Sequence, residues 1–176
     1  VSFSGGFANI QKGHGVAFGD WDRDGDEDVY VVIGGAYDAD KFYNCMFENP
    51  NADKNNWIVL KLEGNGTNTN RMAIGARVML SVQENGKERK IYRTVTSGAS
   101  FGANSLALEV GLRKALHINE VVVHWPCLNC PDQTFKGLVI NEAYKLVQGS
   151  DAPMSMVYTP TKVPLEDKVM HHSMAK

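Results

Sequence analysis

The chain has 176 residues, 43% of them hydrophobic and 22% charged, which is the composition of a globular protein with one domain or a small pair. Its net charge is -2 and its main basic run is only Lys87-Glu88-Arg89-Lys90, so we expect no nucleic-acid partner. No stretch reaches the roughly 18 apolar residues that a membrane-spanning helix requires, so we expect a chain that does not itself span a membrane.

The N-terminal part, residues 1–50, is organised around an acidic loop. Residues 1–12 contain glycine and serine among isolated apolar residues, and they predict a lead-in loop or an edge strand. After Gly19, aspartate occupies every second position, at Asp20, Asp22, Asp24, Asp26 and Asp28. Carboxylates this close together repel one another unless a cation is shared among them.

Calcium is the cation that this loop predicts. Ca²⁺ takes six to eight oxygen ligands at about 2.3–2.6 Å, and its loops carry acidic residues at positions 1, 3 and 5 and a glycine at position 6. That glycine is Gly25 here. Position 12 is Val31 rather than glutamate, and a β-branched run follows, so we expect a strand-loop-strand site. The expected ligands are the side chains of Asp20, Asp22, Asp24 and Asp28 and the backbone carbonyl oxygen of Asp26. The alternative is a hairpin turn without a metal.

The acidic loop and the residues before it carry a family resemblance. The segment GHGVAFG (13–19), followed by DWDRDGDEDVYVV (20–32), resembles an FG-GAP repeat of the VCBS type, the blade unit of calcium-binding β-propellers. A propeller requires roughly four to eight blades, and we find one such segment in the chain. The resemblance therefore implies one blade-like calcium hairpin in residues 1–50.

The second part, residues 51–149, predicts a series of short strands. A polar loop over residues 36–56, with a short strand near 42–47, connects it to the hairpin. Asn85-Gly86 predicts a type I′ turn between two strands, because these residues tolerate a positive φ. The predicted strands cover residues 57–62, 76–82, 87–95, 105–110, 120–125 and 143–147. Short strands at this spacing, with almost no helical periodicity, favour an all-β antiparallel sandwich or barrel.

Five sequence blocks in this second part carry another resemblance. They are WIVLKL (57–62), NRMAIGARV (70–78), SGASF (97–101), VGL (110–112) and VVVHWP (121–126). In order and spacing they resemble the signature blocks of the ASPIC/UnbV domain, which follows FG-GAP repeats in the cartilage acidic protein-like family. The resemblance implies an antiparallel β-sandwich or barrel-like domain in a secreted or lumenal calcium-binding protein used for adhesion or interaction. It supplies no catalytic residues.

Cys127 and Cys130 form a CxxC motif in the loop after Trp125-Pro126, where the family usually has a small polar or glycine turn. The spacing is compatible with a local disulfide or free thiols, with half of a zinc site, and with a redox pair. Prolines flank the motif and it lies in a loop, which disfavours thiol-exchange catalysis. A zinc site needs further ligands, and only Cys45 and scattered histidines are available.

For the remaining candidate residues we favour structural roles. Arg71 and Arg77 could form an anion or carbohydrate site, but such arginines more often hold a strand edge. His14 is expected to be a hydrogen-bonded strand residue, and His124 a residue of a sheet face. Asn65-Gly66-Thr67 matches a glycosylation sequon, which matters only on a secretory route. We find no paired nucleophile and base, and we predict no enzymatic activity.

The tail from Ser150 to Lys176 contains four of the seven methionines and three prolines, without periodicity. We expect it to dock on a protein partner, because methionine side chains adapt to partner surfaces. A first residue of Val1 favours a processed chain, located outside the cell or in an organelle lumen. The leading hypothesis is a non-catalytic calcium-binding β module for protein or glycan contacts. The alternatives are a peripheral lumenal or extracellular subunit of a larger complex, such as a membrane-bound one, with a structural or stabilising role and, third, a CxxC thiol-exchange protein.

Overall fold

The computed structural model describes residues 12–35, 37–40, 42–49, 55–98 and 101–161. All regular secondary structure within these ranges is β-strand, so the expected all-β class is confirmed. The strands are β1 (Gly13–Gly19), β2 (Asp28–Ile33), β3 (Cys45–Phe47), β4 (Asn56–Glu63), β5 (Arg77–Glu84), β6 (Lys87–Thr94), β7 (Leu108–Arg113), β8 (His117–His124), β9 (Gln133–Phe135), β10 (Glu142–Val147) and β11 (Met154–Met156). A search of the described residues finds no helix long and apolar enough to cross a membrane.

Two four-stranded sheets enclose the hydrophobic core. One has the strand order β11-β10-β4-β7, and the other has the order β6-β5-β8-β9. Buried side chains of both sheets, such as Leu60 of β4 and Leu80 of β5, belong to one continuous cluster. Successive side chains of a strand point to opposite faces, so each sheet directs one face into this cluster and the other outward. The two sheets therefore pack as a sandwich.

A third sheet, of three strands, carries the acidic loop. It has the order β1-β2-β3, and β1 pairs antiparallel with β2 through Val16 opposite Val31. The Phe18 amide donates a hydrogen bond of 3.1 Å to Asn104 Oδ1, and the Asp20 amide donates one of 3.0 Å to Glu109 Oε2 on β7. These contacts place the hairpin beside the outward face of β4 and β7.

The expected all-β fold with largely antiparallel sheets is confirmed, and the structure departs from the expectation in two respects. The described strands form separate sheets and do not close into a barrel. In addition, not every pair is antiparallel, because β10 runs parallel to β4, from Glu142 beside Ile58 to Val147 beside Glu63. The reason is the length of the connection. Five strands lie between β4 and β10, and so long a connection can return the chain in the same direction, which a tight hairpin cannot do.

The positions of most predicted strands are close to those observed. Strands β3, β4, β5, β6, β8 and β10 overlap their predicted ranges. The strand predicted over residues 105–110 begins three residues later, at Leu108. The cause is local, because the Ala107 amide donates a hydrogen bond to Ser105 Oγ and the segment turns before it pairs with β4. Strands β9 and β11 have three residues each and were not predicted, since such short segments show no clear alternation.

Part of the predicted tail belongs to the sandwich. Strand β11 pairs with β10, with Met156 opposite Ala143 and Met154 opposite Lys145. The region from 150 to 161 therefore packs on its own chain. Residues 1–11 of the predicted lead-in segment, the junction at 50–54 and residues 162–176 of the predicted tail lie outside the described residues.

The core makes a direct prediction about stability. Leu80 is completely buried, whereas Leu116 is 67% exposed. Leu80→Ala should lower the free energy of unfolding by about 2–5 kcal/mol, because it removes buried methyl groups and leaves a cavity. Leu116→Ala, the matched control, should change it by less than about 0.5 kcal/mol. Urea unfolding followed by circular dichroism measures both values, and equal losses in the two variants would contradict the assigned core.

Candidate metal centre

The acidic loop, residues 20–28, is shaped by hydrogen bonds from its own backbone to its carboxylates. The amides of Asp24 and Gly25 each donate a 3.0 Å hydrogen bond to the carboxylate of Asp20, and the Asp26 amide donates one of 3.2 Å to Asp24 Oδ1. Arg23 and Gly25 have positive φ angles of 60° and 102°. The loop therefore curls around the Asp20 side chain, and Asp/Gly-rich sequence is suited to that path.

Three of the predicted ligands converge. Asp20, Asp22 and Asp28 each offer a carboxylate oxygen, and these oxygens lie within 4.8 Å of one another. Asp28 is 3% exposed, and its two oxygens accept hydrogen bonds from the amides of Trp21 (3.0 Å) and Asn49 (2.9 Å). Asp28 is thus fixed at the start of β2 and faces the loop. Asp24 and Asp26 are outside this group of three.

Asp26 was predicted to contribute only its backbone carbonyl oxygen, but its side chain is the most unusual in the loop. Both of its carboxylate oxygens are buried, and neither has a hydrogen-bond partner among the described residues. Burial, followed by the charges of Asp24, Asp28, Asp20 and Asp22, raises the pKa of Asp26 to about 7. A buried carboxylate without a donor is costly, and a hard cation that prefers oxygen ligands would satisfy it. The residues present therefore fit a calcium ion.

Burial and hydrogen bonding also have opposite effects on the pKa values of two of the converging aspartates. Burial raises the pKa of Asp20, although hydrogen bonds from Gly25 and Tyr158 oppose the shift. Burial also raises the pKa of Asp22, with a further contribution from the charge of Asp24. In both cases the environment disfavours the ionised form, and the hydrogen bonds only partly restore it. A shared positive charge would reverse this effect.

The sandwich supplies residues to the loop that sequence reasoning did not identify. Glu109 on β7 accepts the Asp20 amide, and burial raises the pKa of Glu109 to about 7. Tyr158 donates a 3.1 Å hydrogen bond from its hydroxyl to Asp20 Oδ2. Burial, then the charges of Asp20 and Glu109, raises the pKa of Tyr158. These residues are 89 and 138 positions from Asp20 in sequence, so no local pattern could connect them to the loop.

A cavity of about 270 Å³ lies between the loop and the sandwich. Its lining combines acidic residues of the loop with residues of the sandwich, among them Asp20, Asp26, Glu27, Trp57, Arg93 and Glu109. The acids outnumber the one arginine in this set. The cavity therefore favours a cation or a neutral hydrogen-bonding group over an anion.

The cysteines do not form a metal site within the described residues. Cys127 and Cys130 are joined as a disulfide in the loop between β8 and β9. Cys45 on β3 is a free, half-buried thiol. Among the described residues, the only group of three or more potential metal-binding acids, histidines or cysteines is that of Asp20, Asp22 and Asp28. Zinc therefore has no ligand set in this part of the chain.

The other candidate residues have structural contacts or lie on exposed strands. Arg71 lies 3.9 Å from Glu63, and Arg77 is an exposed residue of β5 opposite His124. His124 Nδ1 lies 2.7 Å from Asp132 Oδ1. Asn65 Oδ1 accepts the amides of Thr67 and Asn68, and so folds the loop after β4. His14 is exposed on β1.

The fold and the loop define a class of protein: a two-sheet β-sandwich with an acidic hairpin docked on its outward face. Residues 66–153 match the family described as ASPIC and UnbV. This match covers half of the chain, and the chain therefore belongs to the ASPIC and UnbV family. The comparison with curated proteins gives no match. The predicted ASPIC/UnbV resemblance is confirmed, whereas the FG-GAP resemblance of the hairpin stays a prediction.

The contact between the loop and Trp57 makes a prediction. A Cβ atom at Gly25 would lie 1.9 Å from Trp57 Nε1, and the φ of 102° is also unfavourable for a side chain. Gly86 has a φ of 74° but open space around its missing Cβ, so Gly86→Ala measures the backbone strain alone. We expect Gly25→Ala to lower the melting temperature more than Gly86→Ala does. Equal shifts would mean that the hairpin does not pack against Trp57.

The raised pKa values make a second prediction, for the protein in EGTA. The pKa of Asp26 and that of Glu109 are about 7 in the folded state, above the ordinary values of 3.8 and 4.5. At pH values between the unfolded and the folded pKa, the folded protein binds more protons than the unfolded chain. The free energy of unfolding should therefore fall as pH rises from about 5 to about 7. Urea unfolding at several pH values measures this slope.

Asp26→Asn tests the assignment of that slope, because asparagine cannot ionise and the slope should become shallower. Hydrogen bonds from Lys145 and from the Lys114 amide lower the pKa values of Glu63 and Glu84, respectively. These two residues therefore make the free energy of unfolding rise with pH, but only below about pH 5. A free energy of unfolding that rises between about pH 5 and 7, or a slope unchanged in Asp26→Asn, would contradict the prediction.

Proposed function

We propose that the protein is a non-catalytic, calcium-binding β interaction module. In it, the acidic loop binds Ca²⁺ and the bound ion holds the hairpin rigid against the ASPIC/UnbV sandwich. The observation that carries this proposal is the Asp26 carboxylate, which is buried without a hydrogen-bond partner in the described chain and is surrounded by other aspartates. The residues proposed to hold the ion are Asp20, Asp22, Asp26 and Asp28, with Asp24 beside them.

The chemistry of the loop supports calcium over other ions. Every candidate ligand is a carboxylate or carbonyl oxygen, and hard cations such as Ca²⁺ prefer oxygen ligands. Zinc and copper prefer sites that include imidazole or thiolate. Asp28 is already oriented by the Trp21 and Asn49 amides, so part of the site is arranged before an ion binds.

Stabilisation by linkage is the proposed mechanism. An ion that binds the folded loop and not the unfolded chain raises the free energy of unfolding by about 2.7 kcal/mol when its concentration is about 100 times Kd. Because the loop contacts Glu109 and Tyr158 of the sandwich side, that stabilisation also acts on the docking of the hairpin. A rigid hairpin can present its surface to a partner at lower entropic cost.

The hairpin has an apolar face that supports an interaction role. Tyr30 of β2 is opposite Met46 of β3, and Val32 lies two residues further along the same face. These side chains are 42%, 42% and 38% exposed, respectively. Clustered exposed apolar residues are typical of surfaces that meet a protein partner. We therefore assign the partner contact to this face of the hairpin, in keeping with its FG-GAP resemblance.

A peripheral subunit of a larger complex is the second candidate, and the same exposed face favours it. A further blade or a neighbouring subunit could cover Tyr30, Val32 and Met46. The disulfide between Cys127 and Cys130 supports an oxidising location, outside the cell or in an organelle lumen, for either candidate.

Calcium titration tests the proposed function. Calcium should raise the melting temperature of the wild-type protein, and EGTA should reverse the effect. Asp22→Ala combined with Asp24→Ala should abolish this response, because it removes carboxylates around Asp26. Asp151→Ala changes an exposed aspartate beyond β10 and should leave the response intact. Identical melting curves with calcium and with EGTA would contradict calcium binding by the loop.

A further inference from the structure

The chain returns to the acidic loop after the last strand. Residues 157–161, here named the C-terminal strap, follow β11, which is anchored to β10 by the pairing of Met156 with Ala143. Within the strap, Val157 is 87% exposed, whereas Tyr158 is half-buried. The strap therefore directs one side chain inward and one outward, and the inward one is the tyrosine.

Two strap residues hydrogen-bond the loop. The Thr161 amide donates a 2.7 Å hydrogen bond to the backbone carbonyl oxygen of Asp22, and the Thr161 hydroxyl donates a 3.3 Å hydrogen bond to the same oxygen. The Tyr158 hydroxyl donates a 3.1 Å hydrogen bond to Asp20 Oδ2. Asp20 and Asp22 are two of the three converging acids, so the strap contacts the candidate metal centre itself.

The Tyr158 ring also joins the loop to the sandwich. Its centroid lies 5.5 Å from that of the Trp57 ring on β4, at an interplanar angle of 53°. The Arg23 guanidinium of the loop lies 5.6 Å from the same tyrosine centroid. Tilted aromatic pairs and cations over aromatic rings are both attractive arrangements. Tyr158 is consequently held from the sandwich side and from the loop side at once.

We propose that the C-terminal strap is a calcium-dependent latch, closed on the acidic loop when a cation is bound and released when it is absent. This inference rests on the proposed calcium site. The contacts of the strap require one arrangement of the loop, with the Asp20 carboxylate and the Asp22 carbonyl oxygen directed at Tyr158 and Thr161. Without a cation, repulsion among the carboxylates favours other arrangements, in which these two acceptors move apart.

The coupling acts in both directions. If calcium favours strap closure, strap closure must tighten calcium binding by the same factor, because the two equilibria are linked. The closed strap also fixes the position of residue 161 beside the loop, and the chain continues from there to Lys176. Calcium would thus control the point from which the C-terminal segment departs.

Hydrogen exchange on the full-length wild-type protein tests the latch directly. The Thr161 amide should exchange more slowly in calcium than in EGTA, because closure pairs it with the Asp22 carbonyl oxygen. Amides of β5 and β8 serve as the internal reference, since those strands are paired within the sandwich. Equal exchange at Thr161 in calcium and EGTA, when calcium binds, would overturn the latch.

Calorimetric calcium titration of tyrosine variants tests the reverse direction. Tyr158→Phe keeps the ring but removes the hydroxyl donated to Asp20, and it should weaken calcium binding by about 5-fold or more. Tyr92→Phe, at an exposed tyrosine of β6, is the matched control and should bind as the wild type does. If Tyr158→Phe and Tyr92→Phe bind calcium equally well, the latch is wrong and the calcium site stands. If the wild type binds no calcium, both the proposed calcium site and the proposed latch are wrong.

Discussion

Repulsion among the aspartates of one short loop is the constraint on which the N-terminal hairpin depends. Asp20, Asp22 and Asp28 bring carboxylate oxygens together within 4.8 Å, and Asp26 is buried beside them without a hydrogen-bond partner in the described residues. Backbone amides satisfy some of these oxygens, but they carry only partial positive charge. The contacts of the loop with Glu109, Trp57 and Tyr158 are all made to a segment that holds this unfavourable charge.

The sandwich is the opposite case, since a continuous apolar cluster fills its interior. Its core includes Leu60, Leu80, Val121 and Phe135, all completely buried. Hydrogen bonds join polar groups beside that core: Trp125 Nε1 donates to Gln133 Oε1, and Gln133 Nε2 donates to the Ser150 carbonyl oxygen. The protein thus joins a sandwich with an apolar core to a small hairpin whose loop is dominated by charged groups.

Local patterns in the sequence were sufficient to predict most of the strands, the turn and the acidic loop. Alternating residues located β4, β5 and β8, and the positive φ of 50° at Asn85 belongs to the predicted turn between β5 and β6. The spacing of the aspartates was sufficient to locate the acidic loop. These signals act over a few residues, where side-chain direction and turn geometry follow directly from the order of residue types.

Long-range features could not be read in this way. The parallel pairing of β4 with β10 depends on how five intervening strands return the chain, and no residue in either strand encodes that direction. Glu109 looked like an ordinary outward residue of a strand, and Tyr158 looked like part of a tail without periodicity. Their approach to Asp20 is a result of tertiary packing, so the sequence identified the candidate ligand residues of the loop but not the residues that surround it.

The parallel pairing of β10 with β4 has a consequence for the order in which the protein can fold during synthesis. Strand β4 lies between β7 and β10 in its sheet, so one edge of β4 stays unpaired until residue 147 has left the ribosome. The hairpin is synthesised before the sandwich, and the tyrosine that contacts its loop comes 138 residues later than Asp20. Contacts between such distant residues slow folding and leave strand edges open in the meantime. The acidic loop is therefore synthesised well before the strand β7 and the residue Tyr158 that contact it.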